Sequence, residues 1–252
     1  MPSPERSGAL VRPDGESLAW RRIDGDGPTV IWVGGFRSDM TGTKAQALAD
    51  AAAARGWRFV RYDHFAHGAS SGDWRRASIG RWREDLIGVI DELADGPVVL
   101  VGSSMGGWVS LLAALARPDR LHALVLVAPA PDFTERLMWP SLPDETRQAI
   151  LRDGEAMVAD HDGLPPYPLT RTLFDESRQW ALLDGPIRLP APVQILQGMA
   201  DEAVPWRHAM ELVERLEAPE VTISLIKDGD HRLSGPRDLD RLLAAVETAR
   251  AG

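Results

Sequence analysis

The chain contains no cysteine among its 252 residues. This absence excludes disulfide bonds, thiolate chemistry and cysteine-based metal sites together. If the protein forms a covalent intermediate with a substrate, its nucleophile must therefore be another side chain.

The sequence also lacks long apolar runs. No stretch approaches the roughly 20 residues that a membrane-spanning helix needs, and residues 1–15 have no apolar core of the kind found in secretory signals. The formal net charge is −9, and a negative surface opposes binding to the phosphates of nucleic acids. We therefore expect a cytoplasmic protein with no membrane span and no nucleic-acid partner.

What is present is an alternation of apolar strands and helical segments. The predicted strands are residues 29–33, 58–62, 98–101, 124–128, 193–197 and 221–226. The predicted helices are residues 43–55, 78–93, 105–116, 205–216 and 239–249. The strands are continuously apolar, as expected of a sheet covered on both faces. This order predicts an α/β fold with a mostly parallel sheet and helices on both sides.

The alternation is interrupted at about residues 131–190. This segment is rich in proline and contains two amphipathic stretches, residues 145–158 and 172–183. We interpret it as a small helical cap lying over the sheet. The prediction is one domain spanning residues 1–252 with this cap inserted.

The strongest local signal is a turn between a strand and a helix, Gly102-Ser103-Ser104-Met105-Gly106. Small residues two positions before and after a serine allow the sharp turn called a nucleophile elbow. The glycine spacing selects Ser104 rather than Ser103 as the nucleophile. The alternative is a glycine-rich turn without chemistry, because this short pattern also occurs by chance.

A serine hydroxyl needs a base and an orienting acid to become a good nucleophile. In a fold of this kind they follow in the order serine, acid, histidine, on loops after late strands. Asp201 and His231 occupy those loops, with Glu202 as the competitor for the acid. The sequence therefore predicts a triad of Ser104, Asp201 and His231.

Acyl transfer also requires hydrogen-bond donors for the oxyanion of the tetrahedral intermediate. The elbow supplies one donor, the backbone N–H of Met105. The loop after the first predicted strand supplies the second, for which we choose the N–H of Phe36, with Gly35 close behind.

Three other features each have two interpretations: the segment from Asp63 to His67, Arg37, and Trp139. Asp63 with His64 and His67 lacks a third convincing ligand for a metal site, and Asp63 is expected instead to anchor its loop through hydrogen bonds. Arg37 either pairs with a substrate carboxylate or is held by Asp39 or acidic residues of the cap.

Trp139, inside the cap, either lines an acyl pocket or packs the cap on the sheet. The two interpretations carry equal weight. We predict no metal and no cofactor.

Several of these segments together resemble one branch of the α/β-hydrolase superfamily. They are residues 34–45 (GGFRSDMTGTKA), Arg61-Tyr62-Asp63, residues 82–85 (WRED) and the elbow, residues 102–108 (GSSMGGW). The branch includes a mammalian mitochondrial palmitoyl-protein thioesterase that also cleaves acyl glucuronides, and many bacterial relatives. The resemblance implies the same triad and an ester or thioester substrate, either a small molecule or an acylated protein. The charge and the first residues favour a bacterial cytoplasmic relative.

These observations predict a carboxylic ester or thioester hydrolase that works through an acyl-enzyme. A peptidase or a carbon–carbon bond hydrolase remains open because each uses the same triad. The alternative from another class is a ligand-binding protein that kept the fold without catalysis. The substrate, the acyl-chain length and the oligomeric state stay open.

Overall fold

The computed structural model describes residues 4–159 and 165–252, and its strands and helices alternate over most of the chain. The strands are Arg6–Val11 (β1), Ser17–Ile23 (β2), Asp26–Val33 (β3), Trp57–Tyr62 (β4), Val98–Ser103 (β5), Leu121–Val127 (β6), Glu155–Val158 (β7), Tyr167–Thr170 (β8), Ile187–Arg188 (β9), Val193–Gly198 (β10), Leu216–Glu217 (β11) and Val221–Ile226 (β12). The α-helices are Thr43–Arg55 (α1), Ile79–Leu93 (α2), Met105–Ala116 (α3), Trp139–Ser141 (α4), Asp144–Asp153 (α5), Arg171–Ser177 (α6), Trp206–Arg215 (α7) and Pro236–Ala251 (α8). Short 3₁₀ turns cover Trp74–Arg76, Pro118–Arg120 and Arg178–Trp180, and a π-helix covers Thr134–Met138.

The central sheet has eight strands in the order β1-β2-β4-β3-β5-β6-β10-β12. The strands from β4 to β12 in this order pair in parallel, whereas β2 pairs antiparallel with both β1 and β4. The carboxyl ends of β3, β5, β10 and β12 therefore lie along one edge, which is where the loops of an open parallel sheet bring functional groups together.

Both faces of the sheet are buried, because successive side chains of a strand point to opposite sides. Ile31 and Val33 of β3 belong to a core shared with α2, α3 and the segment after β6. Val30 and Trp32 belong to a second core, which is shared with α1 and α8. The prediction of a mostly parallel sheet covered on both sides is confirmed.

The predicted strands and helices of the sheet domain match the observed ones within a few residues. Helix α1 ends at Gly56, which adopts the left-handed conformation (φ 69°) that glycine takes up without strain. Helix α2 begins after Ser78, whose side chain accepts a hydrogen bond from the Arg81 N–H. The hairpin of β1 and β2 was not predicted, since most of its residues are exposed or half-buried and give no apolar pattern.

The segment predicted to form a helical cap contains helices and also strands. Helix α5 ends at Gly154 (φ 87°), and the chain continues as β7, which pairs antiparallel with β8. The amphipathic stretch of residues 145–158 is therefore helical only as far as Asp153. Residues 160–164 of the predicted cap lie outside the described residues. The role of this segment as a cap inserted into one domain stays a prediction.

None of the helices in the described ranges is both long and apolar enough to cross a membrane.

Candidate active site

Ser104 lies at the sharp turn between β5 and α3. Its backbone has φ 54° and ψ −120°, a conformation that side-chain-bearing residues seldom adopt. The turn closes tightly: a Cβ on Gly106 would lie 2.1 Å from the Val33 carbonyl oxygen, and one on Gly102 would lie 2.5 Å from the Gly106 carbonyl oxygen. Only glycine fits at these two positions, as the predicted elbow requires.

A chain of hydrogen bonds joins Ser104 to His231 and Asp201. The Ser104 Oγ lies 3.1 Å from His231 Nε2, and His231 Nδ1 lies 2.8 Å from an Asp201 carboxylate oxygen, Oδ2. Because an ionised carboxylate only accepts hydrogen bonds, Nδ1 carries the proton and Nε2 is left to accept from the serine hydroxyl. The structure thus brings together the three residues that the sequence predicts, in the geometry that proton transfer from the serine needs.

Asp201 is held by the loop that carries it. Its Oδ1 accepts from the backbone N–H groups of Ala203 (2.9 Å) and Val204 (2.8 Å), and its Oδ2 also accepts from Gln197 Nε2 (3.2 Å). The side chain of Asp201 has no exposed surface, whereas its competitor Glu202 is exposed. The geometry therefore favours Asp201 as the partner of the histidine.

The loop that carries His231 is fixed from two sides. A Cβ on Gly198 would lie 2.3 Å from the Gly229 carbonyl oxygen, so the loop after β12 packs directly on the end of β10. Lys44, in the first turn of α1, donates a hydrogen bond to the carbonyl of Arg232, the residue after His231. Burial lowers the pKa of Lys44 to about 8. No sequence pattern predicts this contact, because the two residues are 188 positions apart.

The loop after β3 lies against the elbow. A Cβ on Gly35 would be 3.4 Å from the Ser104 Cβ. Phe36 is the next residue, so its backbone N–H lies close to the nucleophile. Within the described residues the Phe36 N–H donates to no protein acceptor. Met105 is the first residue of α3, where the backbone N–H has no partner within the helix. Their roles as oxyanion donors stay a prediction.

Asp63 shapes the loops beside the oxyanion candidates. Its Oδ1 accepts from the Met40 N–H at 2.7 Å and its Oδ2 from the Ala69 N–H at 2.8 Å. Burial raises its pKa. The expectation that Asp63 anchors its own loop is confirmed, and Met40 extends that anchoring to the loop after β3.

The two histidines that follow Asp63 are buried and bonded. His64 Nδ1 lies 3.2 Å from the Tyr62 hydroxyl. His67 Nδ1 lies 3.0 Å from the Phe65 carbonyl oxygen, and its Nε2 accepts from the Arg37 N–H at 3.1 Å. Burial lowers the pKa of His67 to about 4. Both nitrogens of His67 are therefore committed to bonds within the protein.

Arg37 reaches from the loop after β3 to the segment predicted as the cap. Its guanidinium carbon lies 4.3 Å from the ring centre of Tyr167 and 5.5 Å from that of Trp74. One guanidinium nitrogen donates to the Pro165 carbonyl oxygen at 3.0 Å. These contacts hold Arg37 against the predicted cap, and a role in binding a substrate carboxylate stays a prediction.

An aromatic cluster surrounds Phe36. Its ring contacts those of Trp74 (5.2 Å between centroids), Phe133 (5.7 Å), Tyr167 (5.8 Å) and Trp82 (6.0 Å), all edge to face. Rings from the loop after β3, from α2 and from the predicted cap thus meet beside the candidate nucleophile. The cluster packs the loop after β3 against α2 and the predicted cap.

Trp139 contacts a different part of the predicted cap. Its ring packs edge to face on Phe174 of α6, with centroids 4.8 Å apart. This contact corresponds to the packing interpretation of Trp139. Its role in lining an acyl pocket stays a prediction.

The two ends of the predicted cap are tied together at its base. The Asp132 carboxylate accepts from the Leu182 N–H (2.9 and 3.1 Å) and from the Leu183 N–H (2.9 Å). Nearby, His208 Nε2 lies 2.8 Å from the Pro131 carbonyl oxygen. Burial raises the pKa of Asp132 and lowers that of His208. Sequence reasoning missed Asp132, whose signal was an acidic residue between apolar neighbours in the segment after β6.

A cavity of about 240 Å³ also lies at this base. Its lining comprises Trp108, Asp132, Thr134, Glu135, Arg136, Ser177, Arg178, Ala181 and Asp184. The arginines there pair with acidic neighbours, Arg136 with Asp184 at 2.7 Å and Arg178 with Glu135 at 3.2 Å. None of the three candidate triad residues lines this cavity, so it is separate from the candidate active site.

The sheet order, together with a serine, a histidine and a carboxylate bonded in series at its carboxyl edge, defines the class of the α/β hydrolases. A family profile described as serine aminopeptidase, S33, matches residues 28–152. The mitochondrial palmitoyl-protein thioesterase ABHD10 of Rattus norvegicus is 36% identical over 239 residues, which cover 94% of this chain and 80% of that protein. The chain therefore belongs to the α/β-hydrolase family, and the resemblance is confirmed.

Solved structures agree with this assignment. A crystal structure named only as that of a hydrolase, from Agrobacterium vitis S4, superimposes with a TM-score of 0.92 at 40% identity, over 98% of this chain and 99% of that one. Alpha/beta hydrolase domain-containing protein 10 from mouse superimposes with a TM-score of 0.88 at 34% identity, over 96% and 97%. The predicted α/β-hydrolase fold is confirmed, and the family supports hydrolysis as the reaction class.

Proposed function

We propose that the protein is a cofactor-free serine hydrolase that cleaves carboxylic esters or thioesters. The observation that carries the proposal is the series of hydrogen bonds from Ser104 through His231 to Asp201, at 3.1 and 2.8 Å. The buried carboxylate holds the histidine in the tautomer that can take the serine proton.

In the proposed reaction the Ser104 oxygen attacks the acyl carbonyl while His231 Nε2 takes the hydroxyl proton. The N–H groups of Met105 and Phe36 stabilise the oxyanion of the tetrahedral intermediate. The imidazolium then gives its proton to the leaving alcohol or thiol, and the acyl-enzyme remains. Water, deprotonated by the same histidine, attacks the acyl-enzyme and releases the acid.

The substrate class rests on the relatives and on the aromatic cluster. A relative that is 36% identical bears the name of a palmitoyl-protein thioesterase, and the rings around Phe36 suit an apolar acyl chain better than a polar group. We propose a long-chain acyl ester or thioester, on a small molecule or a protein. Cytoplasmic location in a bacterium is part of the proposal, although that relative carries a mitochondrial name.

The test is hydrolysis of p-nitrophenyl esters from acetate to palmitate, beside a palmitoyl thioester, by wild type and Ser104→Ala. We expect turnover by wild type and a loss of several orders of magnitude in the variant. Cleavage of an aminoacyl p-nitroanilide without ester cleavage would instead establish the peptidase alternative. Failure of wild type on all these substrates, and failure of Ser104 to react with a fluorophosphonate, would favour the non-catalytic binding protein.

Arg37 and Trp139 are proposed to contact the substrate. For Arg37 the test compares a neutral ester with one that carries a free carboxylate near the scissile bond. Arg37→Ala should reduce kcat/KM more for the acidic ester, and an equal reduction for both would show that Arg37 does not recognise the carboxylate.

A further inference from the structure

The loop after β3 forms a tight turn at the candidate nucleophile. The Ser38 N–H and hydroxyl both donate to the Gly35 carbonyl oxygen, at 3.2 and 2.8 Å. Because a trans peptide points its N–H and C=O in opposite directions, the Phe36 N–H points away from the inside of this turn. Gly35 itself faces Ser104 at van der Waals distance.

Arg37 holds the strained position of this turn. Its φ is 56°, in the left-handed region that glycine occupies freely and that a side chain such as that of arginine disfavours. Interactions outside the turn therefore hold Arg37 there. The contacts of its guanidinium with Tyr167 and Pro165 act on the side chain, whereas the bond from the Arg37 N–H to His67 Nε2, at 3.1 Å, acts on the strained backbone itself.

His67 is built to act as an acceptor at this point. It is 4% exposed, and its Nδ1 must donate to the Phe65 carbonyl oxygen, since a carbonyl oxygen only accepts. That tautomer leaves Nε2 as an acceptor. The lowered pKa, about 4, keeps the ring neutral and the acceptor present near neutral pH.

The backbone of Phe65, which orients His67, is itself held by α2. Its N–H donates to the Asp85 carboxylate at 2.8 Å, and its carbonyl oxygen also accepts from Trp82 Nε1 at 3.1 Å. Asp85 is fully buried. A rigid path of hydrogen bonds therefore runs from α2 through Phe65 and His67 to Arg37.

We propose that His67 is a positioning residue for oxyanion stabilisation, acting through its Nε2 on the Arg37 N–H to keep the Phe36 N–H aimed beside Ser104. This inference rests on the proposed hydrolase function and adds a residue outside the triad to it. Without the acceptor, Arg37 relaxes out of the left-handed region and the turn shifts relative to Ser104. The loss falls on the transition state, because the oxyanion exists only there.

The experiment compares His67→Gln, His67→Asn and His67→Leu with wild type. The glutamine carbonyl can occupy the position of Nε2 and accept from the Arg37 N–H. The shorter asparagine can bond only near the position of Nδ1, and leucine can accept nothing. His208→Leu is the matched control, since His208 is also buried and bonded to a backbone carbonyl but lies on α7.

Two measurements are made on each variant with the best p-nitrophenyl ester. The first is kcat and KM, and the second is the inhibition constant of a trifluoromethyl ketone of the same acyl length, which forms a tetrahedral adduct on serine. We expect His67→Asn and His67→Leu to lower kcat about 10- to 100-fold with KM nearly unchanged, and to weaken the ketone by the same factor. His67→Gln should retain most of both, and His208→Leu should leave the ratio of the ketone constant to KM unchanged.

Two results would overturn the inference. One is a wild-type kcat in His67→Asn, which is polar and is expected to fold even if the leucine variant does not. The other is an equal loss in the glutamine and asparagine variants, which would mean that the ring matters only for packing. If wild type itself hydrolyses no ester and binds no ketone, the proposed function fails instead, and the two failures are thereby distinguished.

Discussion

Replacing Asp201 with asparagine should inactivate the enzyme through a change of tautomer, while leaving the fold in place. The side-chain oxygen of asparagine is expected at the Oδ1 position, because the N–H groups of Ala203 and Val204 donate there at 2.9 and 2.8 Å, whereas Gln197 Nε2 donates to Oδ2 at the longer distance of 3.2 Å. The new NH₂ group then faces His231 Nδ1, where the carboxylate oxygen was 2.8 Å away. Since an NH₂ group only donates, Nδ1 has to become the acceptor.

The consequence falls on the opposite side of the imidazole ring. In the neutral ring only one nitrogen carries a proton, so the proton moves to Nε2, which faces the Ser104 Oγ at 3.1 Å. Nε2 can then no longer accept the serine proton. The same exchange in serine proteases lowers kcat about 10⁴-fold, which corresponds to about 5.5 kcal/mol of transition-state stabilisation.

The matched control is Glu202→Gln. It removes the same negative charge from the adjacent residue, but Glu202 is exposed and the change should alter kcat/KM less than twofold. The assay is steady-state hydrolysis of a p-nitrophenyl ester, with the concentration of folded protein checked by circular dichroism. The reasoning is refuted if Asp201→Asn stays within tenfold of wild type. A large loss in Glu202→Gln instead would identify the neighbouring carboxylate as the orienting acid.

Three other changes have outcomes that the contacts define. Gly106→Ala should lower the free energy of unfolding in urea by about 3 kcal/mol, because the new methyl carbon would lie 2.1 Å from the Val33 carbonyl oxygen. Gly185→Ala is the control and should be neutral, since a Cβ there has no atom within 4 Å. Equal stabilities of the two variants would contradict the predicted clash at Gly106. Asp132→Ala leaves the buried N–H of Leu183 and the part-buried N–H of Leu182 without an acceptor, so we expect a loss of about 3 kcal/mol and faster proteolysis within residues 131–190. Unchanged cleavage would show that this carboxylate does not hold the segment. Because the folded-state pKa of His67 is lowered to about 4, it contributes stability above pH 6.5 that is lost as the pH falls towards 4, up to about 3 kcal/mol. The stability difference between wild type and His67→Gln should therefore shrink by that amount from pH 7 to pH 4, and a constant difference would argue against the lowered pKa.

The sequence allowed the buried part of the fold to be predicted closely. The central parts of β3, β5, β6 and β10 are covered on both faces, so most of their residues there are apolar and the runs stand out. Strand β1 lies at the sheet edge and is mostly exposed, and β2 is mostly half-buried, so neither carries such a run. In the predicted cap, β7 follows α5 after a single glycine and has only four residues, too few for a period to show.

The candidate triad could be placed because each of its residues follows a strand whose carboxyl end lies at one edge of the sheet. Position after a strand is visible in the sequence, and the topology converts it into proximity. The bonds that orient the surrounding loops have no such signal. Arg37 and His67 are 30 positions apart, and Lys44 and Arg232 are 188 apart, so only the folded chain brings each pair together.

Trp74 gives the protein an optical reporter of its own. Its indole N–H donates to the Pro168 carbonyl oxygen of β8 at 3.0 Å, while its ring contacts Phe36 and Tyr167. One fluorophore thus touches the loop beside the nucleophile and a strand of the predicted cap at the same time. Movement of either part changes the polarity around the indole. Because the chain has nine tryptophans, the signal of Trp74 is the difference between the emission of wild type and that of Trp74→Phe, and this difference reports ligand binding and cap displacement without a label.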